Sequence, residues 1–268
     1  MILPLRLAGI SAALSLFIVL QTPSFADDID RVLATEALAA AYPDFLKISQ
    51  GKLIWHDGME VELGPVRPRD QGAAIVEAPS VAEQFLFDYP LAARAQKELP
   101  KFDPGRARNQ AFFIKMYGDC RRGDLRSKTR RVVWLAKSAP QYITVTTANG
   151  IDRKIEAVSA EIEMLAPEKR ARAMRLSGAF ACRAIDGTNR LSMHAFGAAV
   201  DLNVSVGKYW RWSGLSDGVH ASHSVPQEVV EIFERHGFIW GGNWYHVDSI
   251  HFEYRPELIE YARLHAKK

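Results

Sequence analysis

The chain has 268 residues, of which 48% are hydrophobic and 24% are charged, and this balance is typical of a globular protein with enough apolar residues for a core. The composition excludes an intrinsically disordered chain. Lys and Arg number 34 against 31 Asp and Glu, and the resulting net charge of +3 is too small to predict a nucleic-acid partner.

The first residues have the pattern of an export signal. Arg6 supplies a positive charge, residues 7–20 are almost continuously apolar, and residues 24–26 form a small-x-small cleavage site. The apolar run of about 14 residues is shorter than the roughly 20 that a membrane-spanning helix needs. We therefore predict a signal peptide over residues 1–26 and an exported protein, periplasmic or secreted, with no integral membrane segment after signal removal. An uncleaved N-terminal anchor is the alternative.

Residues 27–103 are predicted to form an N-terminal extension whose role the sequence leaves open. Within it, residues 29–41 are an Ala-rich helical stretch, and residues 52–63 have a strand-like pattern that contains the turn dipeptide Asp57-Gly58. The prolines that then punctuate this segment are Pro79, Pro90 and Pro100.

The main domain is predicted over residues 104–268. Aromatic residues between positions 112 and 117 indicate a helix, and residues 132–135 and 142–147 are strand candidates. A long charged helix is predicted from Ile151 to about Leu176, because its apolar residues recur at helical spacing and therefore suit contacts with the core.

The chain contains two cysteines, Cys120 and Cys182. An even count in a protein predicted to reach an oxidising compartment indicates one disulfide between them. Two unpaired buried thiols are the alternative, and the intact mass with and without reductant distinguishes the two.

Two segments in the last third of the chain, residues 191–203 and 244–253, each combine histidine with carboxylate. The side chains concerned are His194, Asp201, His246, Asp248 and His251. Zinc binds histidine nitrogen and carboxylate oxygen at about 2.0 to 2.2 Å, and a catalytic zinc takes three protein ligands and leaves a fourth position for water. Two imidazoles and one carboxylate meet that requirement.

The spacing in the first segment argues against a continuous helix. In such a helix His194 and Asp201 would lie about 10.5 Å apart along the axis, which is awkward for binding one ion. Gly197 also interrupts the helical pattern, and the alternation of residues 199–204 favours a strand that carries Asp201. We therefore expect His194 on a loop that enters this strand.

The second segment requires a change of direction. Asp248 and His251 are three positions apart, and a regular strand would send them to opposite faces. If both serve one site, a turn or bulge must lie between them. His246 lies two positions before Asp248 and is a candidate for substrate binding, with a packing or capping role as the alternative.

Two ordered motifs carry a family resemblance. The pattern Ser-x-His-x-x-Gly-x-Ala-x-Asp is present as Ser192, His194, Gly197, Ala199 and Asp201, and the downstream pattern acid-x-x-His is present as Asp248 and His251. Together with the sequence around Trp244 and Glu253, these motifs resemble the zinc peptidases of the D-alanyl-D-alanine carboxypeptidase (M15) group, in particular its endopeptidase-like branch. The group also includes D-Ala-D-Ala dipeptidases and phage endolysins, and the resemblance covers about residues 104–256.

The resemblance implies one zinc ion per chain and a role for each motif residue. The implied zinc ligands are His194, Asp201 and His251. Asp248 would be the general base, which takes a proton from the zinc-bound water and passes it to the leaving amine. Arg183 resembles the arginine that polarises the substrate carbonyl or stabilises the oxyanion, and the predicted disulfide would restrain it next to Cys182. Ser192 is expected to hydrogen-bond near the metal or the substrate.

From this resemblance we expect a zinc-dependent peptidase acting on peptidoglycan stem peptides. The bond that is cut stays open between carboxypeptidase, dipeptidase and endopeptidase action, as does the oligomeric state. A catalytically inactive zinc-binding module of the same fold, used for wall binding or regulation, is the alternative. The expected fold is α+β, with a small antiparallel sheet carrying the zinc on one face and helices packed on the other, plus the N-terminal extension.

Overall fold

The structure is a computed structural model that describes residues 29–91, 103–207, 209–213 and 224–268. The signal peptide predicted over residues 1–26 lies outside the described residues. None of the described helices is both long enough and apolar enough to cross a membrane.

The described residues form both helices and strands. The helices are α1 (Arg31–Ala41), α2 (Gly72–Glu77), α3 (Gln110–Tyr117), α4 (Ile151–Glu163), α5 (Pro167–Arg170), α6 (Gln227–Arg235) and α7 (Pro256–His265). The strands are β1 (Leu46–Ser49), β2 (Lys52–Trp55), β3 (Thr129–Trp134), β4 (Gln141–Thr146), β5 (Leu176–Gly178), β6 (Ala199–Leu202), β7 (Phe238–Trp240) and β8 (His251–Tyr254). The predicted α+β class is confirmed, as are the predicted helix at residues 112–117 and the two strand candidates that follow it.

The strands pair in three antiparallel sheets, of which the largest positions the candidate site. Strands β1 and β2 pair with each other, as do β3 and β4, and the four-stranded sheet has the order β5-β6-β8-β7. The two motif segments therefore lie on the adjacent strands β6 and β8, where Asp201 and His251 are direct register partners.

Successive side chains of strand β8 point alternately to the hydrophobic core and to the candidate site. Phe252 stacks against Phe233 of α6, with ring centroids 4.0 Å apart. Successive residues of a strand point to opposite faces, so His251 and Glu253 share the face that Phe252 does not occupy. One face of the sheet thus packs on helix α6, and the other carries the motif side chains.

The helix predicted from Ile151 to Leu176 is wrong in length. Helix α4 ends at Glu163, and Ala166 is extended, with φ −53° and ψ 144°, directly before Pro167. The residue before a proline is disfavoured in the helical region, and proline cannot donate to the preceding turn. The chain restarts as the short helix α5 and then forms β5, which pairs with β6.

Residues of the predicted N-terminal extension contribute to the same buried cluster as the predicted main domain. Leu38 on α1 and Ile259 on α7 both belong to it. The Tyr42 hydroxyl donates a hydrogen bond to the Glu257 carboxylate at 2.5 Å. The division of the chain at residue 103 stays a prediction, but side chains on both sides of it are packed together.

Candidate metal centre

Three side chains from separate elements converge beside the four-stranded sheet. His194 lies on a single 3-10 turn, Asp201 on β6 and His251 on β8. His194 Nε2 is 3.1 Å from Asp201 Oδ2 and 3.3 Å from His251 Nδ1, and His251 Nδ1 is 2.9 Å from Asp201 Oδ1. Donor atoms around a tetrahedral ion bound at about 2.1 Å lie about 3.4 Å apart. The three groups could therefore hold a divalent metal ion with small adjustments.

The backbone around His194 turns sharply, as the spacing argument predicts. The Ser192 side chain caps the turn by accepting a hydrogen bond from the His194 N–H at 3.3 Å. Gly197 then has φ +67°, and a Cβ at this position would lie 2.8 Å from the Thr146 nitrogen. A larger residue would be strained here in both conformation and space, so this glycine allows the chain to leave the turn and enter β6.

A turn also separates Asp248 from His251, as the odd spacing requires. The His251 N–H donates to the Asp248 carbonyl at 3.1 Å, and β8 begins at His251. Gly241 lies close to the same turn, where a Cβ would come within 2.5 Å of the Asp248 carbonyl oxygen. The turn lets Asp248 and His251 line the same cavity.

In both His194 and His251, the ring nitrogen that faces away from the other two donor groups has a hydrogen-bond partner. His194 Nδ1 lies 2.7 Å from the Ala179 carbonyl oxygen, and His251 Nε2 lies 3.0 Å from Glu253 Oε2. Each of these nitrogens therefore acts as the N–H donor, which leaves the opposite nitrogen of each ring to accept a metal bond.

The charges in the cluster favour a bound cation. Burial would raise the pKa of Asp201, but hydrogen bonds from His194 and His251 outweigh this and hold that pKa well below its usual range. Burial would lower the pKa of His251, but the Asp201 and Glu253 carboxylates raise it to about 10. The same carboxylates favour a divalent cation in place of the ring proton.

Asp248 has the properties expected of a base. Its Oδ1 is buried and has no hydrogen-bond partner among the described residues. Burial raises the pKa of Asp248 to about 6, with the Asp201 charge acting in the same direction and His251 and Arg106 opposing it. A carboxylate with a pKa near neutrality is well suited to accept a proton and return it.

A cavity of about 400 Å³ opens beside the three convergent side chains. Its lining includes Arg106, Arg183, Ser192, Trp244 and Asp248. The guanidinium of Arg106 lies over the Trp244 ring, 4.5 Å from its centroid, which fixes one wall. The cavity therefore brings together polar, cationic and aromatic groups next to the candidate metal position.

The disulfide predicted between Cys120 and Cys182 is present and supports the part of the cavity that carries Arg183. Arg183 follows Cys182 directly, and its carbonyl accepts a hydrogen bond from the Ser192 N–H at 3.2 Å. The backbone of Arg183 is thus held from two sides, while its side chain is free to reach into the cavity.

His246 does not line this cavity. Its ring Nδ1 pairs with Asp103 Oδ2 at 2.7 Å, and its backbone N–H donates to the other oxygen of Asp103 at 2.7 Å. Its ring also packs on Trp210, with centroids 4.6 Å apart. These contacts suit the packing alternative, and a substrate contact by His246 stays a prediction.

Sequence reasoning missed the side chains behind His251. Glu253 accepts the hydrogen bond from the His251 ring, and Arg108 donates to Glu253 at 2.6 Å. The position of Glu253, two residues after a candidate ligand and on the same strand face, was a usable sign. Arg108 carries no such local sign, because it lies 145 positions away from its partner.

Residues 186–254 match the family model described as D-alanyl-D-alanine carboxypeptidase. The matched range is about a quarter of the chain and contains all three convergent side chains and Asp248, whereas Arg183 precedes it. No curated protein and no solved structure matches the chain.

Proposed function

We propose that the chain is a zinc-dependent M15 peptidase that hydrolyses peptide bonds in peptidoglycan stem peptides, and the match of residues 186–254 to the D-alanyl-D-alanine carboxypeptidase family model supports this proposal. The observation that carries the proposal is the convergence of His194, Asp201 and His251, with donor separations of 2.9 to 3.3 Å, beside a cavity that Asp248 also lines. Two imidazoles and one carboxylate are the donor set of a catalytic zinc that keeps a position open for water.

The proposed chemistry divides among the cavity side chains. His194, Asp201 and His251 would hold the zinc ion, which would lower the pKa of a water molecule and polarise the scissile carbonyl. Asp248 accepts the proton of the attacking water and delivers it to the leaving amine. The Arg183 guanidinium donates hydrogen bonds to the oxyanion that develops on the carbonyl oxygen. Ser192 keeps His194 in place through its cap of the turn.

The cavity also supports the proposed substrate class. Arg106 and Arg183 present positive charge to it, and stem peptides carry free carboxylates that guanidinium groups bind well. Export to the periplasm or the exterior would bring the protein to this substrate, and the disulfide between Cys120 and Cys182 suits an oxidising compartment.

Hydrolysis of defined muropeptides tests the proposal. We expect the zinc-loaded full chain to release a terminal D-Ala, a D-Ala-D-Ala dipeptide or the products of an internal cut, each of which has a distinct mass. Chelation of the metal should stop the reaction. Intact muropeptides after incubation with protein that holds one zinc per chain would contradict the peptidase and favour a zinc-binding module without catalysis.

Replacing Arg183 by Ala is expected to lower kcat about 100-fold with little change in KM, because one oxyanion donor is typically worth about 10² to 10³ in rate. Steady-state kinetics on the muropeptide that is cleaved measures both constants. Arg211→Ala is the matched control, since Arg211 is exposed and pairs with Asp186 at 3.1 Å. A higher KM with unchanged kcat in the Arg183 variant would assign this residue to ground-state binding instead.

A further inference from the structure

The face of β8 that carries His251 also carries a buried carboxylate two residues later. We infer that Glu253 is a positioning residue for His251, which orients its ring for the metal and is itself held in place by a buried chain of charged groups. The inference rests on the proposed zinc site and deepens it by adding a residue that does not touch the metal.

Glu253 determines which nitrogen of the His251 ring faces the site. The Glu253 carboxylate is fully buried and accepts the hydrogen bond of His251 Nε2 at 3.0 Å. Nδ1 is then the nitrogen that faces His194 and Asp201, and it is the one that a metal ion would bind in place of a proton. Without the Glu253 carboxylate, the His251 ring could adopt the other tautomer or flip. In either case the Nδ1 lone pair would no longer be available at the metal position.

Two arginines fix the carboxylate of Glu253. Arg108 Nη1 lies 2.6 Å from its Oε2, and Arg255 Nη1 lies 3.4 Å from its Oε1. Both guanidinium groups are largely or fully buried, with side-chain exposures of 12% and 0%. The two guanidinium groups hold both oxygens of the carboxylate in place, with Oε2 directed at the His251 ring nitrogen.

The series of buried charged groups continues into the predicted N-terminal extension. Arg255 Nε donates to Glu257 Oε1 at 2.5 Å, and the Tyr42 hydroxyl donates to Glu257 Oε2 at 2.5 Å. Arg255 also donates to the Gly105 carbonyl at 2.7 Å. Donors and acceptors therefore alternate from Tyr42, which directly follows α1, to the His251 ring, and the end of α1 contributes to the support behind the metal ligand.

Stability alone is a poor explanation for this arrangement. Burying ions carries a large desolvation cost, and well-packed apolar residues of similar size often stabilise a fold equally well. A buried carboxylate that accepts a hydrogen bond from a metal-binding imidazole serves metal binding, because the loss of such a carboxylate commonly lowers metal affinity by about 10- to 100-fold.

Zinc affinity of the full chain separates positioning from stability. In Glu253→Gln the charge is lost while the shape is kept, and we expect the zinc dissociation constant from chelator competition to rise about 10- to 100-fold. The visible spectrum of the cobalt-substituted protein should change as well, since it reports the ligand field of His251. Zinc affinity and cobalt spectrum equal to those of the wild type would overturn the inference.

Glu83→Gln is the matched control. Glu83 is equally buried, with 1% exposure, and pairs with Arg67 at 2.7 Å, but it has no recorded contact with the metal centre. Both variants are expected to melt at lower temperature, and only the Glu253 variant should bind zinc more weakly. An equal loss of zinc affinity in the two would reduce the role of Glu253 to general stability and overturn the inference.

A second variant covers the case in which Glu253→Gln does not fold. Glu253→Asp keeps the charge but withdraws the carboxylate by one methylene from the His251 ring, so we expect weaker zinc binding in a folded protein. Wild-type affinity in this variant would contradict the inference. If the wild-type chain itself binds no zinc, the proposed function is contradicted. If the wild type binds zinc and the Glu253 variants bind it equally well, only the role of Glu253 is contradicted.

Discussion

Asp248→Ala is expected to lower turnover of the cleaved muropeptide about 10²- to 10⁴-fold, the range for losing a general acid-base group, while zinc stoichiometry stays near one. The carboxylate lines the same cavity as the candidate metal ligands, and burial raises its pKa to about 6, so it is suited to take the proton of the attacking water. The metal donors are on other residues, so metal binding should survive. Turnover and zinc content measured on the same preparation check both halves of this expectation.

The matched control for Asp248 is Asp186→Ala. Asp186 is a carboxylate that lines the same cavity, but it is strongly exposed and pairs with Arg211. Its removal should leave turnover within a few fold of the wild type. An undiminished rate in the Asp248 variant would refute the general-base role and leave the metal centre without its proton acceptor.

His194→Ala is expected to remove both the metal and the activity. His194 is buried, with 2% exposure, and its Nε2 lies within 3.3 Å of the donor atoms of both other side chains. Two remaining protein ligands do not make a catalytic zinc site, which takes three. Zinc content after dialysis should fall from near one per chain toward zero, and turnover should drop about 10³-fold or more with the loss of several kcal/mol of transition-state stabilisation.

His236→Ala provides the comparison for the loss of a histidine as such. His236 pairs with Glu161 at 2.6 Å and has no recorded contact with the metal centre, so its replacement should leave zinc content and turnover unchanged. Chelation of the wild-type protein should reproduce the His194 phenotype, and added zinc should rescue the wild type alone. A His194 variant that retains full zinc content and turnover would contradict the assigned ligand set.

The series of buried charged groups behind His251 also affects which fragments of the protein are suitable for experiments. Tyr42, which directly follows α1, donates to Glu257, and Arg255 connects Glu257 to Glu253. A fragment that begins at residue 104 would lose the Tyr42 hydroxyl and expose the surface of α7 that α1 covers. The full chain is therefore the right material for every measurement proposed above.

The local features of the candidate metal centre were predictable from the sequence. The donor types, the break at Gly197, the strand that carries Asp201 and the turn between Asp248 and His251 all follow from residue identity and spacing, because they depend on backbone preferences within a few residues. The helix predicted to Leu176 failed at Pro167 for a local reason that the sequence also contained.

The distant groups that support this centre could be identified only from the folded structure. Arg108 meets Glu253 across 145 positions and Tyr42 meets Glu257 across 215, and such partners depend on how β8 pairs with β6 and how α1 packs near α7. The same holds for the contact between His246 and Asp103, which are 143 positions apart. Spacing within a motif constrains the backbone, but the partner of a buried carboxylate depends on the packing of the whole chain, because any cation or hydrogen-bond donor that the fold brings next to it can serve.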